Sequence, residues 1–419
     1  MVLFDFDIHE YFTTNKHLVS MINYYRKSLN ISKKSLQKEN NISHATFRRA
    51  EVTDFVAHVD ILQKLARYFD IPVEIDKAII DELNDNFNYL YTFLYLNDIA
   101  KLEYYYHLIE EKKDLYTNNI LFTIYHFSRL VYYVGSHKRV EFDIISESLD
   151  ILRYFRGDLT EVFEFLLDDY TYCYYSLVHD EENTLKYAKK VYLGVQQYNE
   201  LVPQILYQMS LNYYFINDYA NSIFYSFEAL PKLEADLNYN KALYCNLNIA
   251  ICFERLHNTI KSKEILNKIF LHILSNESPR VEYLAYLTLA NCHVTEGLYE
   301  EAIQIFKDLE SKRDIKGENS LMLLYCYYKS NKKDAFDMLA ANLREDFMKD
   351  RYYVGYYDMV ALIESLTRSK KSESLELFKI ASKSFQFYGD AKIVDIIFKE
   401  MQSRKLLPST AQLETVLSA

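Results

Sequence analysis

The sequence predicts an all-α protein, a small helical head followed by a long stack of helix pairs. Three observations carry that expectation. Seven Gly and five Pro in 419 residues are too few for a β-rich chain, whose hairpin turns draw on glycine. Forty Tyr and 26 Phe, with no Trp, supply large flat side chains for helix–helix contacts. From about Phe87 onward, helical patterns are separated by polar breaks at Asn97-Asp98, Asn118-Asn119, Gly135-Ser136 and Gly157-Asp158. Their intervals of roughly 20 residues suit helix pairs in an α-solenoid.

Residues 1–15 form an apolar–acidic extension, expected to pack on the first domain as a helix or an arm. The opening MVLFDFDIHEYF is too acidic, and its apolar run too short, for a secretory signal. The stretch Met21–Ile71 follows, and its residue order implies a contact surface. Ser32 is placed to cap Lys33–Glu39 and Ser43 to cap His44–Glu51, each hydroxyl meeting an unpaired N–H of the first turn. Asn40-Asn41 between them suits a turn, since Asn tolerates left-handed backbone. Leu29, Ile31, Leu36, Ile42, Phe47, Leu62 and Leu65 are the expected apolar core. Between Lys16 and Val52 there are eight basic residues and two acidic ones, a local charge of +6 in a chain of net charge −11. A basic island in an acidic chain is an electrostatic footprint for phosphate.

Tyr25-Arg26-Lys27, Ile31-Ser32, Leu36, Ile42-Ser43, Phe47-Arg48-Arg49-Ala50-Glu51, Leu62, Leu65-Ala66 and Phe69-Asp70-Ile71 together resemble the helix-turn-helix DNA-binding domain of the XRE family. Lys33 stands where that family often carries Gln, and Gln37 where it often carries Ala. In such domains the second helix of the pair enters the major groove and the first crosses the backbone. The resemblance therefore implies DNA contact by His44, Ala45, Thr46 and Arg48 towards the bases and by Lys33, Lys34 and Arg49 towards phosphates, with the cap Ser43 also in the DNA-binding set.

Ile71-Pro72 closes this domain, because a residue before Pro is pushed out of helical geometry. The expected layout is a helix-turn-helix domain over 1–72, a connecting helix within 73–88, helical repeats over 89–406 and a tail over 407–419, with Asp390–Leu406 as a capping helix. The clearest repeat reads Tyr286, Leu289-Ala290, His293, Gly297, Tyr299, Ala302, Phe306 and Leu309, and it resembles a tetratricopeptide (TPR) repeat. Small residues at Ala290 and Ala302 let two helices approach, while the aromatic residues fill the space around them. Weaker copies begin at Ile249 and Met209, each 40 residues before the next, with others near Tyr172, Leu324 and Leu362. The fold class is thus all-α, an N-terminal helix-turn-helix followed by a TPR-like α-solenoid.

Stacked helix pairs present an inner face made by the first helix of each pair, and Asn or Gln there can donate to and accept from an extended peptide. By position, Asp169, Tyr170, Tyr207, Gln208, Tyr214, Asn248, Glu254, Asn291, Tyr325 and Tyr328 are the candidates to line it. The domain order resembles the RRNPP family of peptide-responsive regulators. That resemblance implies a homodimer that binds a short signalling peptide in the repeats and a double-stranded DNA operator with its heads. The alternative is a TPR scaffold, or a partner binder acting on response-regulator phosphate through roughly Phe87–Asp169.

The sequence holds no P-loop, GxSxG, HExxH or GxGxxG motif, so no enzyme, cofactor or metal is expected. The five Cys (173, 245, 252, 292 and 326) are widely spaced among apolar residues and read as buried thiols of a reducing compartment. No CxxC pair suggests zinc. The apolar window Ile120–Val134 is too short and too polar to cross a bilayer, and the expected location is the cytosol.

Overall fold

The computed structural model describes residues 3–9, 16–52, 59–135, 141–273, 278–312, 317–349, 354–368, 371–385 and 392–406. The expected tail, 407–419, lies outside them. Among the described residues the chain is all helix and connection, with no strand. The first five helices are α1 (Lys16–Ser28), α2 (Lys33–Glu39), α3 (His44–Val52), α4 (Val59–Tyr68) and α5 (Lys77–Leu96). Beyond them, helices of mostly 12–18 residues follow one another into a TPR-like solenoid.

One turn device recurs along the chain. Asn97, His179, Asn217, Leu237, His257, Gly297 and Asn331 all take positive φ, between 54° and 78°. After each, the next residue's N–H reaches back to a carbonyl of the helix just ended: Asp98 to Phe93 (3.0 Å), Asp218 to Tyr213 (2.9 Å), Asn258 to Phe253 (2.8 Å), Leu298 to His293 (2.9 Å). This left-handed cap satisfies carbonyls that the helix end leaves open. At five of these seven turns the following residue is Asp or Asn, and it caps the next helix. Asp98 accepts from the Lys101 N–H, Asp180 from Asn183, Asp218 from Asn221, Asn238 from Lys241 and Asn258 from Lys261, all at 3.1–3.2 Å. At those five turns two residues end one helix and start the next.

Contacts divide the chain into two compact units: Met1–Asn212 with Lys232–Lys241, and Tyr213–Pro231 with Ala242–Ala419. In the first, the head core is Leu36, Phe47, Leu62 and Leu65, as the apolar pattern predicts. Leu29 is not part of it, being 60% exposed. The helix α1 ends at Ser28, and Asn30 at φ 54° turns the chain so that the Ile31 N–H caps Arg26 O at 2.8 Å. The head rests on later helices of its own unit. Tyr25 donates to Thr117 O at 2.7 Å, and the Tyr24 ring packs on Phe122, Tyr154 and Phe155.

The N-terminal arm is extended over residues 3–8 and packs on α5, not on the first domain. Phe4, Phe6 and Ile8 are buried with a period of two, the signature of extended chain. The N–H groups of Leu3, Phe6 and Ile8 donate to Thr92, Asn88 and Asn84 at 3.1, 2.8 and 3.1 Å, and Asn88 donates back to Phe6 O at 3.2 Å. Those three side chains stand four residues apart, on one face of α5. Of the expected connecting segment 73–88, residues 77–88 open a 20-residue helix that runs on to Leu96, with Asp76 as its N-cap. In the second unit, the apolar core runs from Leu287 and Ala290 through Phe306 and Leu324 to Ile393, Ile397 and Met401 of the last described helix, Lys392–Ser403.

Candidate functional site

The head presents its basic residues as the capping pattern requires. Ser32 Oγ accepts the Ser35 N–H at 3.0 Å and Ser43 Oγ accepts the Thr46 N–H at 3.1 Å, so α2 and α3 both start with their first turns satisfied. Asn41, at φ 52°, turns the chain between them. Lys33, Lys34, Gln37, His44 and Arg48 then ring an open concavity of about 610 Å³, with the buried Phe47 at its floor. Ser43, His44, Ala45 and Arg48 are exposed and Thr46 is half-buried. Arg49, also exposed, folds back to Ala45 O at 3.4 Å.

Of the residues expected to line the repeats, four gather in the first unit. Gln208 donates to Asp169 at 3.0 Å, Gln204 donates to Gln208 at 3.1 Å, and Lys241 donates to Gln204 and to Leu94 O. Tyr170, Tyr207, Gln204, Gln208 and Lys241 border a cavity of about 30 Å³, room for one or two waters. Burial pushes the Asp169 carboxyl up to about 8; the Gln208 hydrogen bond opposes this and the neighbouring Asp168 adds to it. Asp169 is therefore a neutral acid at pH 7. Burial likewise holds the Lys241 ammonium well below the usual lysine range. That side chain sits on the C-terminal carbonyls of α5, where a cation is favoured.

Four more gather in the second unit, beneath the helix Lys392–Ser403. Lys392 pairs with Glu254 and donates to Asn291 O at 3.4 Å. Glu400 accepts from Tyr328 (3.3 Å), Tyr325 (3.4 Å), Lys329 (2.8 Å) and Arg404 (2.7 Å). The last two candidates stand apart from this group. Asn248 donates to Ser222 and Ser226 at 3.0 and 3.1 Å, in the packing between helices, and Tyr214 packs on Tyr219.

Position along the repeats did not reveal Gln204, Lys241, Glu318, Lys392 or Glu400. Each has a partner 30 or more residues away, and no local pattern marks those contacts. Among the described residues no cluster of His, Cys, Asp and Glu is arranged to hold a metal, and no helix is long and apolar enough to cross a membrane.

No family model and no curated protein sequence matches the chain. Solved structures do resemble it. A Rap protein complexed with competence and sporulation factor superposes with a TM-score of 0.56 at 16% identity, over 78% of this chain and 99% of that one. The apo form of the quorum sensor NprR from B. thuringiensis gives 0.55 at 13% identity, over 79% and 99%. NprR in complex with its cognate peptide NprX gives 0.54 at 12% identity, over 78% and 89%. At these identities the likeness is one of fold.

Proposed function

We propose that this chain is a DNA-binding regulator whose hold on its operator is set by a short signalling peptide bound in the repeats. The observation that carries the reading is the exposed ring of Lys33, Lys34, His44 and Arg48 on a capped two-helix unit, in an otherwise acidic chain. Arg48 and His44 on α3 are assigned to base edges, with Ser43, Ala45 and Thr46 beside them; Lys33, Lys34 and Arg49 are assigned to phosphates. Two copies of the chain would set two heads on half-sites about one helical turn apart. The peptide part draws support from the neighbours in fold, one crystallised with its cognate peptide and one with competence and sporulation factor. The ligand contacts we assign are Asp169, Tyr170, Tyr207 and Gln208 in the first unit, and Glu254, Asn291, Tyr325 and Tyr328 in the second. A ligand that favours one arrangement of the repeats shifts the population of DNA-competent dimers.

Titration of the full chain against an operator and a scrambled duplex tests the head. Arg48→Ala should weaken operator binding about 5- to 150-fold, the worth of a bidentate arginine–guanine contact, and scarcely change the scrambled duplex. Lys33→Ala should weaken both duplexes by one common factor. Loss of the same factor on both duplexes by Arg48→Ala would remove that residue from the base edge. For the parent chain, log K should fall with log[salt] by about 0.9 per phosphate contacted. A flat salt response would contradict backbone contact altogether.

A further inference from the structure

We propose that Glu254, Asn291 and Glu318 form a subsite for a cationic side chain of the ligand, and that the chain's own Lys392 fills it until the ligand arrives. This rests on the peptide reading above and gives that peptide a charge.

Three alternate helices, Tyr239–Arg255, Pro279–Glu296 and Glu318–Lys329, contribute one polar residue each. The helix Lys392–Ser403 reaches all three. Its Lys392 pairs with Glu254, the two being 3% and 1% exposed, and also donates to Asn291 O. Its Ile393 N–H donates to Glu318 at 3.1 Å, while Glu318 holds Arg255 through both oxygens at 3.1 and 2.8 Å. Capping the solenoid does not require this lysine. Ile393, Ile397 and Met401 are fully buried in the apolar core and already anchor the helix. A buried ion pair adds little over apolar residues of the same size, so the charges at this spot call for another reason.

A second observation points the same way. Asn291 is 6% exposed and its Oδ1 is buried without a hydrogen-bond partner. An orphaned acceptor of this kind is costly, and it belongs to the residue whose main-chain carbonyl the Lys392 ammonium reaches. A cation from outside can meet both Glu254 and this oxygen, whereas Lys392 reaches Glu254 and the main-chain carbonyl. At its other end the helix occupies Tyr325 and Tyr328 through Glu400. Ligand and C-terminal helix therefore compete for the same wall, and loosening the helix strengthens binding.

Two pools of capped hexapeptides, identical except for lysine or norleucine at the third position, test this on full-length chains by fluorescence polarisation. The lysine pool should bind Lys392→Met about tenfold more tightly than the parent, and the norleucine pool should gain less than twofold. Glu400→Gln frees the far end of the helix without touching the subsite and should also favour the lysine pool. Glu254→Gln should erase the difference between pools. The inference is overturned if both pools bind the parent, Lys392→Met and Glu400→Gln chains alike while helicity is unchanged; peptide binding itself would then stand. If neither pool binds any chain, the peptide reading falls and this inference falls with it.

Discussion

Asp169→Asn is expected to leave stability nearly unchanged in its pH-dependent part at pH 4 and to raise it by about 5 kcal/mol at pH 8, a value from the size of the shift. The native carboxyl keeps its proton up to about 8, because burial disfavours its charged form and the neighbouring Asp168 adds to this, whereas an unfolded aspartic acid releases its proton near 3.9. Between those values the folded chain binds one more proton than the unfolded one, so stability falls as pH rises. The contribution is fully present below the unfolded value and is lost as pH passes through 8. Asparagine has no such proton. Its amide leaves one donor facing the position of Oδ1, which has no partner, but that cost is the same at every pH. The slope of the difference between variant and parent is therefore the clean signal. His126, which burial and the neighbouring Arg129 hold down at about 3, works in the opposite direction between pH 3 and its ordinary value of about 6.5. It is common to both chains and cancels. Urea midpoints at pH 4, 6 and 8 make the measurement, and parallel pH profiles would show that Asp169 is ionised in the folded protein.

Phe6→Ala should cost about 3–5 kcal/mol, the range for emptying a buried aromatic site. The Phe6 ring meets Phe87 at 5.5 Å, Tyr91 at 5.0 Å and Phe163 at 5.8 Å between centroids. The methyl side chain would leave that space unfilled beneath the arm. Asn88→Ala should act on the same element by a different route, stranding both the N–H and the carbonyl of Phe6. Because the two residues share one contact, the double variant should cost less than the sum of the singles, with a coupling of about 0.5–3 kcal/mol. Thermal unfolding of the four chains measures both effects. Additive losses would mean that the arm is not held by α5.

Legibility in the sequence follows the range of the interaction. Ser32, Ser43, Asn41 and Gly297 act on residues within a turn of themselves, and their roles could be assigned from order alone. The repeat turns are equally local: a residue tolerant of positive φ followed by Asp or Asn, as in Asn97-Asp98 and Asn217-Asp218, is a signal any scan can use. The arm was half legible. Phe4, Phe6 and Ile8 alternate as extended chain should, but the track that receives them lies on α5, beyond the whole head. Leu29 misled because an apolar residue one step past a helix end looks like the helix's own apolar face. Among the candidate ligand contacts, helix register located buried faces without saying what each side chain meets. Asn248 therefore turns out to bind Ser222 and Ser226, and Glu254 to bind Lys392. Register cannot reveal an occupant from the far end of the chain.

Selection of duplexes from a random pool by the full-length chain, at physiological salt and in parallel with Arg48→Ala, shows whether the head reads DNA sequence. The parent should enrich an inverted repeat, with half-sites spaced by about one helical turn, and Arg48→Ala should enrich none. Retention of the whole pool without preference, or of no duplex at all, by a correctly folded parent would mean that the head is not a sequence-specific DNA reader.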